Sequence, residues 1–278
     1  MRHAILSLLF DSSAVEMGRS VRQLIDEARY SGAIMLDLGD EGLKEVPSDT
    51  WEITALCRLN LSHNKFDELP DDISKLTQLE FLTLFSNRLE ALPKGITSLP
   101  LLKILTASNN KIRELPQGIG TCPALSYLDL SCNDITEISR NFCYLDTLRA
   151  LHLADNNLTS LPPEIGNLAR LDTLVLRDNK LASLPKEIGK LKAIRILLLQ
   201  GNKLTTLPKE LANTPLDHAG AKLRLAGNPL TSSLLDVLKK DGVPGLFNIM
   251  RQAGYDKEVQ GSLNISKSRS LLLFGGKS

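Results

Sequence analysis

The chain has 278 residues, with 33 Lys plus Arg against 32 Asp plus Glu and a formal net charge of +1. That balance excludes a nucleic-acid or membrane-surface binder driven by bulk electrostatics, and a hydrophobic content of 42% excludes disorder over most of the chain. Aromatic residues make up only 4%, while leucine supplies 56 positions, so the core is aliphatic and an internal repeat is the first thing to look for.

At the N-terminus, Met1-Arg2-His3 and the apolar stretch 4–10 imitate a secretory signal. The stretch is short, runs into Asp11 and lacks a small-x-small cleavage site, so residues 1–19 are read as a disordered extension. Ser20 then precedes Val21, Leu24, Ile25 and Ala28 at helical spacing, with Gly32 as a stop. This predicts an amphipathic capping helix within 20–32. Asp26 and Glu27, with few basic residues nearby, argue against a membrane or calmodulin-type helix.

From residue 33 the sequence becomes periodic. Leu56-Cys57-Arg58-Leu59-Asn60-Leu61-Ser62-His63-Asn64-Lys65-Phe66 opens a unit that continues to Leu69-Pro70 and Ile73. Its asparagine recurs at Asn87, Asn110, Asn133, Asn156, Asn179 and Asn202, every step being 23 residues. A degenerate copy with Glu41 in the asparagine place precedes the run, and a copy around Asn228 follows after 26 residues, making nine units over 33–230. This pattern is identified as a leucine-rich repeat. Leu59 and Leu61 alternate inward on a short strand. The asparagine can satisfy backbone groups that a tight turn leaves unpaired. Phe66, Leu89, Ile112, Ile135, Leu158, Leu181 and Leu204 fill the next core layer, and the Leu-Pro pair starts an extended return segment. The expected fold is α/β: a right-handed solenoid, or horseshoe, with a parallel concave sheet on the order of 40 Å long and helical caps at both ends. Leu234, Leu235 and Leu238, then Leu246, Phe247, Ile249 and Met250, predict a two-helix C-terminal cap over 231–255, broken at Gly242 and Pro244. Residues 256–278 are read as a disordered tail. Its Gly275-Gly276-Lys277-Ser278 ending is not a phosphate loop, because Leu271 stands where a glycine is required.

No run of 18 apolar residues is present, so no membrane insertion is expected. Cys57, Cys122, Cys132 and Cys143 do not form a capping set at either end, which favours free thiols and a cytoplasmic location. Catalytic chemistry finds little support. His152 neighbours Asp129 across two strands, but Cys132 lies three residues beyond Asp129, about 10 Å along the strand, outside the reach of a nucleophile and its base. No metal, cofactor or catalytic residues are assigned, and the chain is read as non-enzymatic.

The outward positions between the core leucines are more informative. They place Phe81, Phe85, Ile104 and Tyr127 on three adjacent strands as an apolar, aromatic patch, with Asp129, His152 and Arg177 as a polar strip beside it. Arg58 and Leu198 stand further along the same face. Exposed clusters of this kind mark protein-binding surfaces, so a folded protein partner is expected on the concave face of a monomer.

The array resembles the Ras-group intracellular leucine-rich repeat proteins, and within them the Ras suppressor branch. The resemblance rests on Asn141-Phe142-Cys143-Tyr144-Leu145, Thr147-Leu148-Arg149-Ala150-Leu151, Leu176-Arg177-Asp178-Asn179, Ser183-Leu184-Pro185-Lys186-Glu187-Ile188-Gly189 and Gln200-Gly201-Asn202. It implies a cytoplasmic signalling scaffold at integrin-linked adhesions, whose concave face binds a LIM-domain adaptor of the PINCH type and which restrains Ras signalling. The chain departs from that branch at Leu230, where the branch carries Trp, and in lacking its basic tail. Two other functions fit the same fold: a recruiting or regulatory subunit of a phosphatase or ubiquitin ligase, and an extracellular recognition protein.

Overall fold

The computed structural model describes residues 19–256. The expectations for residues 1–18 and 257–278 lie outside the described residues. Among the described residues, nine three-residue strands form one parallel sheet in chain order. They are β1 (Met35–Asp37), β2 (Arg58–Asn60), β3 (Phe81–Thr83), β4 (Ile104–Thr106), β5 (Tyr127–Asp129), β6 (Ala150–His152), β7 (Thr173–Val175), β8 (Ile196–Leu198) and β9 (Lys222–Arg224). Each strand pairs with the next at an offset of 23 residues until β8 and β9, which pair at 26. The repeat spacing of the sequence is thus the register of the sheet. Leucine occupies the central position of every strand and is buried there, while the flanking side chains face the concave side.

The strands end in a tight turn that only a special backbone can make. The residue immediately before each repeat asparagine has positive φ: His63, Ser86, Asn109, Cys132, Asp155 and Asp178 at 55–59°, then Gly201 and Gly227. Asp40 holds the same place in the first unit. A non-glycine side chain is strained in this left-handed region, so the following asparagine and the packing around it must hold the turn. Asn156 shows how. Its Nδ2 donates to the carbonyl of Leu130 in the preceding unit (2.9 Å) and to those of Leu153 and Ala154 in its own (3.3 and 3.2 Å). Its Oδ1 accepts the N–H of Ile135 in the preceding unit at 3.0 Å. Asn64, Asn87, Asn110, Asn133, Asn179, Asn202 and Asn228 bind back in the same way. Glu41 can replace asparagine in the first unit because no earlier unit lies behind it to be bound.

On the convex side, short 3₁₀ turns follow the prolines, for example Pro163–Asn167 and Lys186–Lys190. At some of these contacts they stack so closely that only glycine fits. A Cβ on Gly120 would meet the Asn141 carbonyl oxygen at 1.8 Å, and one on Gly189 would meet that of Glu210 at 2.2 Å. Beneath them Ile73, Ile96, Ile119, Phe142, Ile165 and Ile188 are buried, closing an aliphatic core that runs the length of the array.

Both ends of the array are covered. Helix α1 (Val21–Ser31) begins in a capping box, in which Gln23 N–H donates to Ser20 Oγ and Ser20 N–H to Gln23 Oε1, and it stops at left-handed Gly32. Ile25 and Ala28 seat it on the first unit. Helix α2 (Ser232–Met250) is interrupted at Gly242, whose φ of 65° and ψ of −158° divide it into two segments. Arg251 ties its end to the last units through the Ala212 carbonyl (2.9 Å) and the Asp217 carboxylate (2.8 Å), and the Tyr255 hydroxyl donates to the buried Leu207 carbonyl at 2.8 Å.

Replacing Asn156 by Ala strips partners from buried backbone groups of two units and is expected to cost about 3 kcal/mol in urea denaturation. A loss below ~0.5 kcal/mol would show that those groups find other partners. Gly189→Ala is expected to cost about 1–3 kcal/mol through the clash with Glu210; unchanged stability would show that the convex turns can slide apart.

Candidate functional site

The register brings the expected concave residues together in a more differentiated way than one patch. Arg58, Phe81, Ile104 and Tyr127 pair across β2 to β5. The Arg58 guanidinium lies 4.8 Å from the centre of the Phe81 ring, and the Tyr127 and His152 rings are 5.2 Å apart. The row from Arg58 to Tyr127 forms a ridge spanning four strands, about 14 Å at 4.8 Å per strand, and His152, in the next row on β6, abuts its end. Phe85 is not part of it. Four residues beyond Phe81 on an extended segment, it stands about 13 Å away, where it packs edge-on against His63 with ring centres 4.9 Å apart. This is a second, shorter ridge.

Between the ridges runs a trough with a polar floor. Thr83, Thr106 and Asp129 occupy the middle concave positions and are buried. The Thr106 hydroxyl donates to that of Thr83 at 2.8 Å, and the Ser131 N–H donates to the Asp129 carboxylate at 2.9 Å. Curvature crowds side chains on the inner face of a horseshoe, so short residues in the middle row sink beneath the bulkier rows on either side.

Two expectations about the polar strip are corrected here. Asp129, placed at the surface by strand alternation, is only 2% exposed and lies on the trough floor, in register with His152. Arg177 does not join them. It lies just past β7 and bridges two carboxylates, Asp155 and Asp178, each at 3.1 Å. Leu198 is half-buried on β8, six strands from Arg58, and belongs to neither ridge. His63 and the Thr83–Thr106 pair were not singled out from the sequence. His63 had a signal, since it precedes the repeat asparagine beside the outward Phe85.

The leucine-rich repeat region family matches residues 121–215, and the leucine rich repeat family matches residues 35–89. With the nine-stranded parallel sheet, these matches decide the assignment. The chain is a leucine-rich repeat protein. No curated protein matches it in sequence. Among solved structures it is similar to the ectodomain of the plant membrane receptor kinase GASSHO1/SCHENGEN3 from Arabidopsis thaliana, with 30% identity, a TM-score of 0.61 and coverage of 71% of this chain and 24% of the ectodomain. The chain therefore spans about a quarter of that relative's length. A leucine-rich repeat protein of Leptospira interrogans aligns at 23% identity and a TM-score of 0.35, over 79% of this chain and 97% of that one. Leucine-rich repeat proteins are in general non-enzymatic scaffolds that bind other proteins.

The reactive groups of this leucine-rich repeat protein are sparse. Among the described residues no set of three or more His, Cys, Asp or Glu is placed to hold a metal ion, and no helix is long and apolar enough to cross a membrane. All four cysteines are free thiols. Burial pushes Cys122 up to about 11; burial, with the nearby Glu164 carboxylate, pushes Cys143 up to about 12. Cys132 Sγ lies 3.9 Å from the Asp155 carboxylate, away from His152. At pH 8 an alkylating reagent is expected to modify Cys57 and Cys132 quickly, and Cys122 and Cys143 only after unfolding; prompt loss of all four thiols in the folded protein would contradict the burial. The stability consequence follows from the sign of the shifts. Both buried thiols keep in the folded chain a proton that the unfolded chain releases near pH 9, so stability falls as pH rises from about 9 towards 12. Tyr255, also pushed up to about 12 by burial, acts in the same direction. Denaturation midpoints at pH 8 and pH 10.5 should show the decline.

Proposed function

We propose that the concave trough holds a folded protein partner, and that the protein is a non-enzymatic scaffold in intracellular signalling, located in the cytoplasm. The observation that carries this reading is the pair of ridges. Phe81, Ile104 and Tyr127 offer apolar area along one side, His63 and Phe85 along the other, over a floor whose polar groups hydrogen-bond among themselves. Such an arrangement accepts a partner element inserted between the ridges, with Arg58 and His152 at the ends of the longer one. Aromatic residues at the centre of a contact and polar groups at its margin are the common layout of protein interfaces.

The residue-level resemblance to the Ras suppressor protein supports a finer version. In it the partner is a LIM-domain adaptor of the PINCH type, at adhesion sites, in a setting that restrains Ras signalling. An extracellular recognition role has one observation on its side, since the similar Arabidopsis ectodomain was solved in complex with CASPARIAN STRIP INTEGRITY FACTOR 2. Free thiols and the absence of a disulfide-capping pattern in the sequence support the cytoplasmic reading over it.

Binding of the purified LIM-domain adaptor, and affinity capture of partners, should be measured for the wild type, Phe85→Asp, Phe81→Asp and the convex control Lys94→Glu. A carboxylate buried in the contact without a partner should weaken binding at least about thirtyfold, while unfolding midpoints stay close to the wild type. Lys94→Glu should bind as the wild type does. Wild-type binding by Phe85→Asp together with failure of Lys94→Glu would move the site to the convex side. A concave-dependent partner that is not a LIM protein would retain the scaffold and remove the adaptor.

A further inference from the structure

The last repeat step is 26 residues where the others are 23, and the fold does not need the extra three. Asn228 still reaches the Leu199 carbonyl (2.8 Å) and the Leu204 N–H (3.0 Å) across the longer unit. The added length forms a short 3₁₀ turn, Pro215–Asp217, and a loop closed by His218 and Gly220, the latter with a φ of 85°. This loop walls off one side of a cavity of about 640 Å³ on the rim where strands β6 to β9 begin.

The opposite wall is cationic. Arg149, Asp172 and Arg195 each stand one residue before a strand, and their backbones are linked in sequence by hydrogen bonds of 2.9 and 2.7 Å. Arg170 and Lys192 face the same cavity. The Lys192 ammonium is fixed by two carbonyls, Gly189 (2.9 Å) and Asn213 (2.8 Å), so its charge has a set position. The Asp172 carboxylate accepts the Thr173 hydroxyl at 2.7 Å. Among the described residues neither it nor any other carboxylate forms an ion pair with Arg149, Arg170 or Arg195. Four permanent cations thus face one carboxylate, a local charge of +3 in a chain whose formal net charge is +1.

We propose that this cavity binds a compact, multiply phosphorylated small molecule. Arginine forks suit phosphate oxygens in bidentate geometry, and the volume is that of a small-molecule site. Arg149 and Arg195 sit two strands apart, about 10 Å. Four cations spread over that distance against one carboxylate suit a ligand that carries more charge than a single phosphate. The remaining lining is His218 with alanine, proline and glycine. No large apolar side chain is there to bury an acyl chain, so recognition rests on the phosphates. This site is separate from the concave trough and does not depend on the partner proposed for it.

The test is calorimetric titration of the full chain at low ionic strength with sodium tripolyphosphate, with orthophosphate and hexaglutamate as comparisons. Tripolyphosphate should bind at least tenfold tighter than either, and the affinity should fall as salt is raised. Arg149→Gln and Arg195→Gln should each weaken it about tenfold. Arg88→Gln, an exposed cation outside the cavity, and Phe85→Asp should leave it unchanged. The exposed arginines carry no packing role, and equal unfolding midpoints of the variants would show that the fold is intact. Absence of tripolyphosphate binding, equal effects of Arg195→Gln and Arg88→Gln, or hexaglutamate binding as tight as tripolyphosphate would each overturn the proposal, the last by showing attraction to charge alone.

Discussion

Every unit of this protein must turn its chain sharply at the end of a three-residue strand, inside a core that supplies no water. That constraint leaves carbonyl and amide groups buried where neither helix nor sheet can pair them, and an unpaired buried group costs roughly 1–3 kcal/mol. The repeat asparagine answers it with both halves of its amide, donating to carbonyls and accepting an N–H across a unit boundary. The same bonds that complete one turn therefore join it to the unit before. Local turn chemistry and long-range stacking become one interaction, which is why no unit can be stable alone and why the array behaves as a chain of neighbours. The left-handed residues beside the asparagines are tolerated because this ladder over-determines the backbone.

The inner face follows from the same geometry. Parallel strands held in constant register line up equivalent positions into rows, so a side chain's neighbours are those of the same position in adjacent units. Curvature then gives each row a depth. The middle row of Thr83, Thr106 and Asp129 is drawn under, while Phe81, Ile104 and Tyr127 on one side and Phe85 on the other stand up as ridges. The cavity on the strand-start rim arises differently, from the one unit that breaks the period, and its charge comes from residues just outside the strands.

Much of this could be read from the sequence. The 23-residue spacing of the asparagines determines the register, the L-x-L pairs determine the face, and Ser20 and Gly32 mark the ends of the first helix within a residue. What escaped depends on distances between units. Gly120 and Gly189 read as ordinary loop residues, because the carbonyls that forbid a side chain there belong to the following unit. The left-handed position hides because Asp, His, Ser, Asn, Cys and Gly all occupy it. At the candidate site, alternation shows which side of a strand Asp129 takes but not how deep it lies. It also merges Phe81 and Phe85 into one patch, though four residues on an extended strand separate them. Arg177 was placed by its row, whereas its partners Asp155 and Asp178 come from the turns.

Because the register offset is the same at every boundary from β1 to β8, the units of that run present closely equivalent surfaces to their neighbours. A 23-residue block duplicated, deleted or exchanged between positions within that run would meet the same leucines and the same asparagine bonds. The framework is thus nearly blind to the order of its units, and the outward rows are nothing but that order. Moving the unit that carries Phe81 and Phe85 by one place would leave the scaffold as sound as before and present a different surface to the same partner, so recognition can be rearranged without passing through an unfolded ancestor.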